Sequence, residues 1–233
     1  IKVANGVVGF SDLDRGNTHS NAYISTTGPN GFTSLCGTNK ISSEAYRIEL
    51  ALAPSDSSYI YASAIATNGS MINLYLSKDQ GNTFEVILPG GSTTVDLYNK
   101  NGFTDNSMAV FPNNPKHLLI GGYPYLWEAE EITENTYYSC NQIVYSNGIH
   151  DIVFGDDIAF FATGSGIAKA TFTEEIKTAF YTLTKNLASA QITALGIGHD
   201  GAFIAGSVDN GSLYVNTKGN TEQTASALSS GYA

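Results

Sequence analysis

The sequence predicts an all-β fold of four-stranded antiparallel blades, a β-propeller or part of one. Three observations carry that reading. The composition suits short strands and tight turns, strand–turn–strand blocks recur every 40 to 60 residues, and one block contains a polar turn of distinctive spelling.

Composition comes first because it bounds the rest. Hydrophobic residues make up 42% of the 233 residues and charged residues 14%, which excludes a disordered chain. The 24 Gly, 14 Tyr and 11 Phe, with abundant Ser, Thr and Asn, favour strands and turns over long helices. The formal net charge is −10, and Arg15 and Arg47 are the only arginines. Such a surface repels polyphosphate, so neither nucleic acid nor an anionic membrane is an expected partner. No apolar run approaches the ~18 residues of a membrane-spanning helix, so direct membrane insertion is not expected.

The most regular block starts at Leu50-Ala-Leu-Ala-Pro54 and continues through Tyr59-Ile-Tyr-Ala62, a Gly/Asn loop and Leu74-Tyr-Leu-Ser77 to Phe84. It reads as strand, turn, strand, loop, strand, tight turn, strand. A second copy runs from Met108-Ala-Val-Phe-Pro112 through Leu118-Leu-Ile-Gly121 to Tyr125-Leu-Trp-Glu128. Pro112 precedes Leu118 by six residues, as Pro54 precedes Ile60. A third copy covers Ile152 to Phe154, Ile158 to Ala162 and Ile167 to Ala170. Between its first two strands lies Asp156-Asp157, expected as a hairpin turn. A fourth covers Ile192 to Ile197, Ala202 to Ala205 and Leu213 to Asn216.

An offset of 52 residues places Ile60 on Val8, Tyr75 on Tyr23 and Phe84 on Phe32. It also places Pro54 on Lys2, so the N-terminal blade is expected to lack most of its first strand. Blades are thus expected around Tyr23, Tyr75, Trp127, Lys169 and Tyr214, with Leu52, Val110, Phe154 and Leu195 buried between neighbours. The stretch Thr173 to Leu183 scans both as a short helix and as a turn followed by a strand over Ala179 to Thr184. The blade rhythm favours the strand.

Ser77-Lys-Asp79-Gln-Gly81-Asn-Thr83-Phe84 matches Ser-x-Asp-x-Gly-x-Thr-Phe/Trp. The chain therefore resembles the Asp-box, or BNR-repeat, β-propeller superfamily, which includes sialidases, sortilin-type receptors and xyloglucanase-like glycosidases. The blade rhythm covers nearly the whole chain, while the full motif occurs once; Gly219-Asn-Thr221 keeps only its tail. The motif chemistry is structural. Asp79 is expected to accept backbone N–H groups of its own turn, Gly81 to take a positive φ, and Phe84 to pack its ring between sheets.

The catalytic signatures associated with that superfamily are not assembled here. Two arginines cannot form the arginine triad of a sialidase. A xyloglucanase-like glycosidase needs two carboxylates across a cleft; Asp12, Asp14, Asp151, Asp156 and Asp157 are candidates, yet none sits in a transferable motif. Asp12 to Asn17 departs from the EF-hand order, and the four histidines show no ligand spacing with Cys36 or Cys140, so neither a metal nor another cofactor is expected. Cys36 and Cys140 could form one disulfide or remain two free thiols. Tyr123, Tyr125 and Trp127 are the candidate ligand-binding residues if exposed and blade packing if buried. Asn68-Gly-Ser70 and Asn210-Gly-Ser212 are glycosylation sequons in loops.

These readings describe residues 1–233 as one propeller region of about five blades, the first incomplete. The expected function is a non-catalytic secreted or cell-surface module that binds a protein or glycan or serves in structural assembly. The alternative is part of a secreted glycan-active hydrolase. The chain begins at Ile1 without Met or a leader peptide, which reads as a processed product or an internal segment. Flanking blades or another chain are expected to cover the open ends of the arc.

Overall fold

The computed structural model describes residues 1–12, 19–28, 30–91, 96–131, 139–145, 148–155, 158–164, 166–172, 181–182, 192–207, 211–217 and 221–223. All regular structure in them is β. The first sheet comprises β1 (Lys2–Ala4), β2 (Val7–Ser11), β3 (Ala22–Ser25) and β4 (Thr33–Ser34). The second comprises β5 (Arg47–Leu52), β6 (Ile60–Ile65), β7 (Met71–Ser77) and β8 (Glu85–Pro89). The third holds β9 (Ser107–Val110), β10 (His117–Gly121), β11 (Tyr125–Glu130) and β12 (Ser139–Tyr145). The fourth holds β13 (Ile149–Gly155), β14 (Ile158–Thr163), β15 (Gly166–Thr171) and β16 (Tyr181–Thr182). A fifth sheet follows with β17 (Ile192–Ile197), β18 (Phe203–Ser207), β19 (Gly211–Val215) and β20 (Thr221–Gln223). Every sheet is a four-stranded antiparallel meander in chain order. Tyr23, Tyr75, Trp127, Lys169 and Tyr214 each lie on a third strand.

The chain divides into two compact units, Ile1–Leu183 with the first four sheets and Thr184–Ala233 with the fifth. In the first unit the leading strands are neighbours: β5 lies beside β1 and β2, β9 beside β5, and β13 beside β9. Sheets whose first strands line a common axis and whose faces pack on one another form a propeller arc. The fifth sheet has the same blade topology.

The second sheet shows why its strands read as near-continuous apolar runs. It is covered on both faces, so all six residues of β6 are buried. Ile48, Leu50, Ile60, Ala62 and Tyr75 pack with Val7, Ala22, Ile24 and Leu35 of the first sheet. Tyr61, Leu74 and Leu76 point the other way, onto Met108, Val110, Leu118 and Ile120 of the third. Leu119 and Leu126 meet Ile152, Ala159 and Phe161 of the fourth. Leu52 and Val110 are buried and Phe154 is half-buried, whereas Leu195 on β17 is 57% exposed, contrary to expectation. The blade rhythm placed Leu195 on a strand but could not say whether its face is covered.

The N-terminal strand also departs from the repeat alignment. Lys2–Ala4 pairs with Val7–Gly9 as the inner strand of its sheet, although the offset left that blade without most of its first strand. Asn5 and Gly6 have φ of 48° and 75°. Two consecutive positive-φ residues close a tight hairpin that matches strand twist, which lets three residues pair directly. Of the ambiguous stretch 173–183, Tyr181 and Thr182 form a strand paired with Lys169 and Ala168; the rest lies outside the described residues. Asp14, Asp156, Asp157 and Gly219 also lie outside them. Cys36 is a free, half-buried thiol, and burial pushes its pKa up.

Candidate functional site

An antiparallel meander places its loops on two opposite edges. In the first unit, the loops joining second to third strands and fourth strands to the next sheet share one edge. At that edge, between the first and second sheets, lies a cavity of about 660 Å³, within the range of about 300–1,000 Å³ usual for ligand sites. Ser11, Asp12 and Ser20 line it from the first sheet, Tyr46, Arg47, Glu49 and Thr67 from the second, and Phe103 from the β8–β9 loop.

Arg47 organises this edge. Its guanidinium donates to the backbone carbonyl of Phe103 through Nη1 and to that of Asn106 through Nη2, at 3.2 Å for the latter. Glu49, one turn of the pleat further along β5, accepts Lys2 at 2.9 Å and has the Arg47 Nη2 at 4.0 Å. Tyr46 and Phe103 meet edge to face, with ring centroids 5.2 Å apart. Behind Phe103, Asp105 is buried with the His150 Nδ1 at 3.1 Å. Burial pushes its carboxyl above the usual range, and the charges of His150 and Arg47 pull partly back. The Asn106 side chain is fully buried without a hydrogen-bond partner among the described residues.

Of the carboxylates singled out from sequence, Asp12 reaches this cavity. Asp151 lies elsewhere: it lines a second cavity, of about 830 Å³, between the leading strands, where Lys2 approaches it at 3.9 Å. Tyr46, Arg47, Glu49, Phe103, Asp105 and His150 were not singled out. Arg47 carried a usable signal, since an arginine is rare in this acidic chain and it opens an inner strand. Phe103 carried none, because it sits in a loop without periodicity.

Tyr123, Tyr125 and Trp127 do not line the cavity but act on the loop that shapes it. The Leu97 carbonyl accepts both the Tyr123 backbone N–H at 3.3 Å and the Trp127 indole N–H at 3.2 Å. Tyr125 stands edge to face with Trp127, and Trp127 packs on the core between the second and third sheets. All three rings are half-buried.

The Ser77–Phe84 turn lies on the opposite edge, between β7 and β8. Asp79 Oδ1 accepts the Thr83 backbone N–H at 2.9 Å and the Ser77 hydroxyl at 2.7 Å, and Oδ2 accepts the Thr83 hydroxyl at 2.7 Å. Ser77 Oγ in turn accepts the Gly81 N–H at 2.8 Å. Gly81 has φ +85°, a conformation that favours glycine, and a Cβ there would press on the Leu35 Cδ2 at 2.6 Å. The Phe84 N–H donates to the Asn39 carbonyl, and its half-buried ring packs on the core shared by the first and second sheets. The neighbouring Lys78 reaches Glu131 of the third sheet at 2.8 Å, with Lys116 on the same carboxylate at 3.3 Å.

Burial pushes the Asp79 carboxyl up, but the hydrogen bonds from Thr83, Ser77 and Asn82 outweigh it and hold the pKa below the ordinary value. A depressed folded pKa makes the ionised carboxylate stabilising above the unfolded pKa, and that contribution is lost as pH falls through the folded value. Asp79→Ala is expected to cost about 1–3 kcal/mol at neutral pH. In urea titrations the gap between wild type and variant should narrow as the buffer is acidified toward and below the folded pKa. A gap that does not change with pH would remove the carboxylate from the account.

No protein-family model matches the sequence, and no curated protein matches it. Among solved structures, the chain is similar to the GH74 enzyme of Niastella koreensis at 19% identity and TM-score 0.49, over 88% of this chain and 34% of that one. It is similar to the GH74 xyloglucanase of Xanthomonas campestris at 14% identity and TM-score 0.49, over 88% and 36%. It is similar to PorZ, a surface component of the type-IX secretion system of Porphyromonas gingivalis, at 12% identity and TM-score 0.49, over 91% and 31%. The chain spans about a third of the length of these three proteins.

Proposed function

We propose that this chain is a non-catalytic binding module of the Asp-box propeller type, secreted or displayed at a cell surface, which engages a protein or glycan through the loop edge that bears Arg47 and Phe103. The observation that carries the reading is the 660 Å³ cavity, where hydroxyls, carboxylates and an aromatic pair from separate loops face one space. Such a mixture of apolar wall and sparse polar groups suits recognition. The motif carboxylate Asp79, by contrast, spends its acceptor capacity within its own turn. Among the described residues no helix is long and apolar enough to cross a membrane.

A glycan hydrolase is the second reading, favoured by one observation: Asp12 and Glu49 line the same cavity. Against it, Glu49 is engaged by Lys2 and Arg47. Incubating the chain with a panel of plant and host polysaccharides distinguishes the two. Retention on a glycan array or a protein bait without release of reducing ends is the expected result. Steady release of reducing ends, abolished by Asp12→Asn or Glu49→Gln, would replace the binding module with the hydrolase.

A further inference from the structure

We infer that the loop-edge cavity takes a cationic side chain, the ammonium or guanidinium of a lysine or arginine of a protein partner. Asp12 is its anionic anchor, and Phe103 and Tyr46 form its aromatic wall. The inference deepens the binding function proposed above and rests on it.

Most charges in the cavity already have partners. Arg47 gives both Nη groups to the carbonyls of Phe103 and Asn106, so it is committed to holding the β8–β9 loop rather than to an anion. Glu49 has Lys2 and Arg47 as partners. Asp12 differs. Its Oδ1 accepts the Asn21 backbone N–H at 2.8 Å, which fixes its direction, and no cation stands within ion-pair distance of it among the described residues. Its side chain is exposed, so its charge is the one the cavity leaves open to a ligand.

The aromatic wall points to the same chemistry. Phe103 is 40% exposed, so its ring is open to the cavity, and it is backed edge-on by Tyr46. An aromatic face carries the negative side of its quadrupole and attracts a cation within about 6 Å of its centroid. A carboxylate lining the same cavity as such rings favours a cation over an anion, and the net charge of −10 steers cations toward the chain and repels anions. The wall is also held in place before any ligand arrives. Gly102 donates to the Gly69 carbonyl at 3.0 Å, and Tyr123 and Trp127 hold the Leu97 carbonyl, which pins the loop before Phe103, while Arg47 holds the carbonyls of Phe103 and Asn106. Preorganisation of this kind lowers the ordering cost of binding.

The test is a titration of the full chain, followed by backbone amide NMR, with three probes: the blocked tripeptide Gly-Lys-Gly, its norleucine counterpart, and cellobiose. The lysine peptide is expected to shift the amides of Asp12, Tyr46, Arg47 and Phe103, while norleucine, equally apolar but uncharged, leaves them in place. Asp12→Asn keeps the acceptor for Asn21 and removes the charge; it should weaken the lysine peptide about fivefold or more, as should Phe103→Ala, with the far-ultraviolet spectrum unchanged. Equal binding of the norleucine peptide, or undiminished binding of the lysine peptide by Asp12→Asn, overturns the inference. Cellobiose shifting these amides while the lysine peptide does not would also overturn it, yet would leave the binding module standing with a neutral glycan as its ligand. Silence of the loop edge toward all three probes overturns the inference and withdraws support from the binding module as well.

Discussion

Gly69→Ala is expected to destabilise the four-blade unit by about 2–5 kcal/mol, the sum of a left-handed conformation costing about 1–2 and overpacking costing about 1–3. Gly69 closes the β6–β7 turn at φ +83°, and a Cβ there would lie 2.1 Å from the Lys100 carbonyl oxygen and 2.8 Å from its carbon. Those atoms are backbone, so no rotamer change relieves the contact. Lys100 itself has φ 64°, which leaves its segment little room to retreat. The substitution should therefore displace the loop that carries Phe103 and Arg47's acceptors. Gly6→Ala supplies the control: φ is +75° there, but nothing lies within 4 Å of the added Cβ, so only the conformational cost of about 1–2 kcal/mol remains. Urea denaturation of both variants measures the difference. Similar midpoints for the two would show that the close approach at Lys100 does not constrain the loop.

Tyr61→Ala should cost about 3–5 kcal/mol, the range for removing a buried aromatic ring. Tyr61 is fully buried on β6 within the core between the second and third sheets, and its hydroxyl donates to the Pro115 carbonyl of the third sheet at 2.8 Å. The ring fills the interface and the hydroxyl bridges it, so the two contributions are separable. Tyr61→Phe keeps the ring and leaves the Pro115 carbonyl without this donor, for an expected loss of about 1–2 kcal/mol. A Tyr61→Ala variant with wild-type stability would mean that adjacent blades do not depend on this interface, and the two-faced burial of β6 would then need another explanation.

The blade rhythm was legible because its causes are local. Short apolar runs such as Leu50 to Leu52 and Leu118 to Ile120, with Pro and Gly at fixed distances, specify strands and turns from neighbours in sequence. The Ser77–Phe84 turn was legible for the same reason, since the acceptors and donors of Asp79 lie within four residues of it. Local signals also set the limits. The repeat offset missed β1, because the Asn5-Gly6 hairpin replaces the longer connection of the second sheet and shifts the pairing. The blade register that served Leu52 also placed Leu195 between neighbours, and register is blind to what lies opposite.

The sequence by itself determined that this chain forms four-stranded antiparallel sheets in chain order, and that Asp79 organises a turn. Periodicity and turn chemistry are properties of short stretches, so both could be read before any fold existed. Only the tertiary structure decided that Asp12, Tyr46, Arg47 and Phe103 share one cavity. Arg47 and Phe103 are 56 residues apart, and their contact exists because the sheets radiate from shared leading strands and bring alternate loops to one edge. A binding site assembled across blades depends on sheet packing and loop length together, and no local pattern in a single sequence encodes their product.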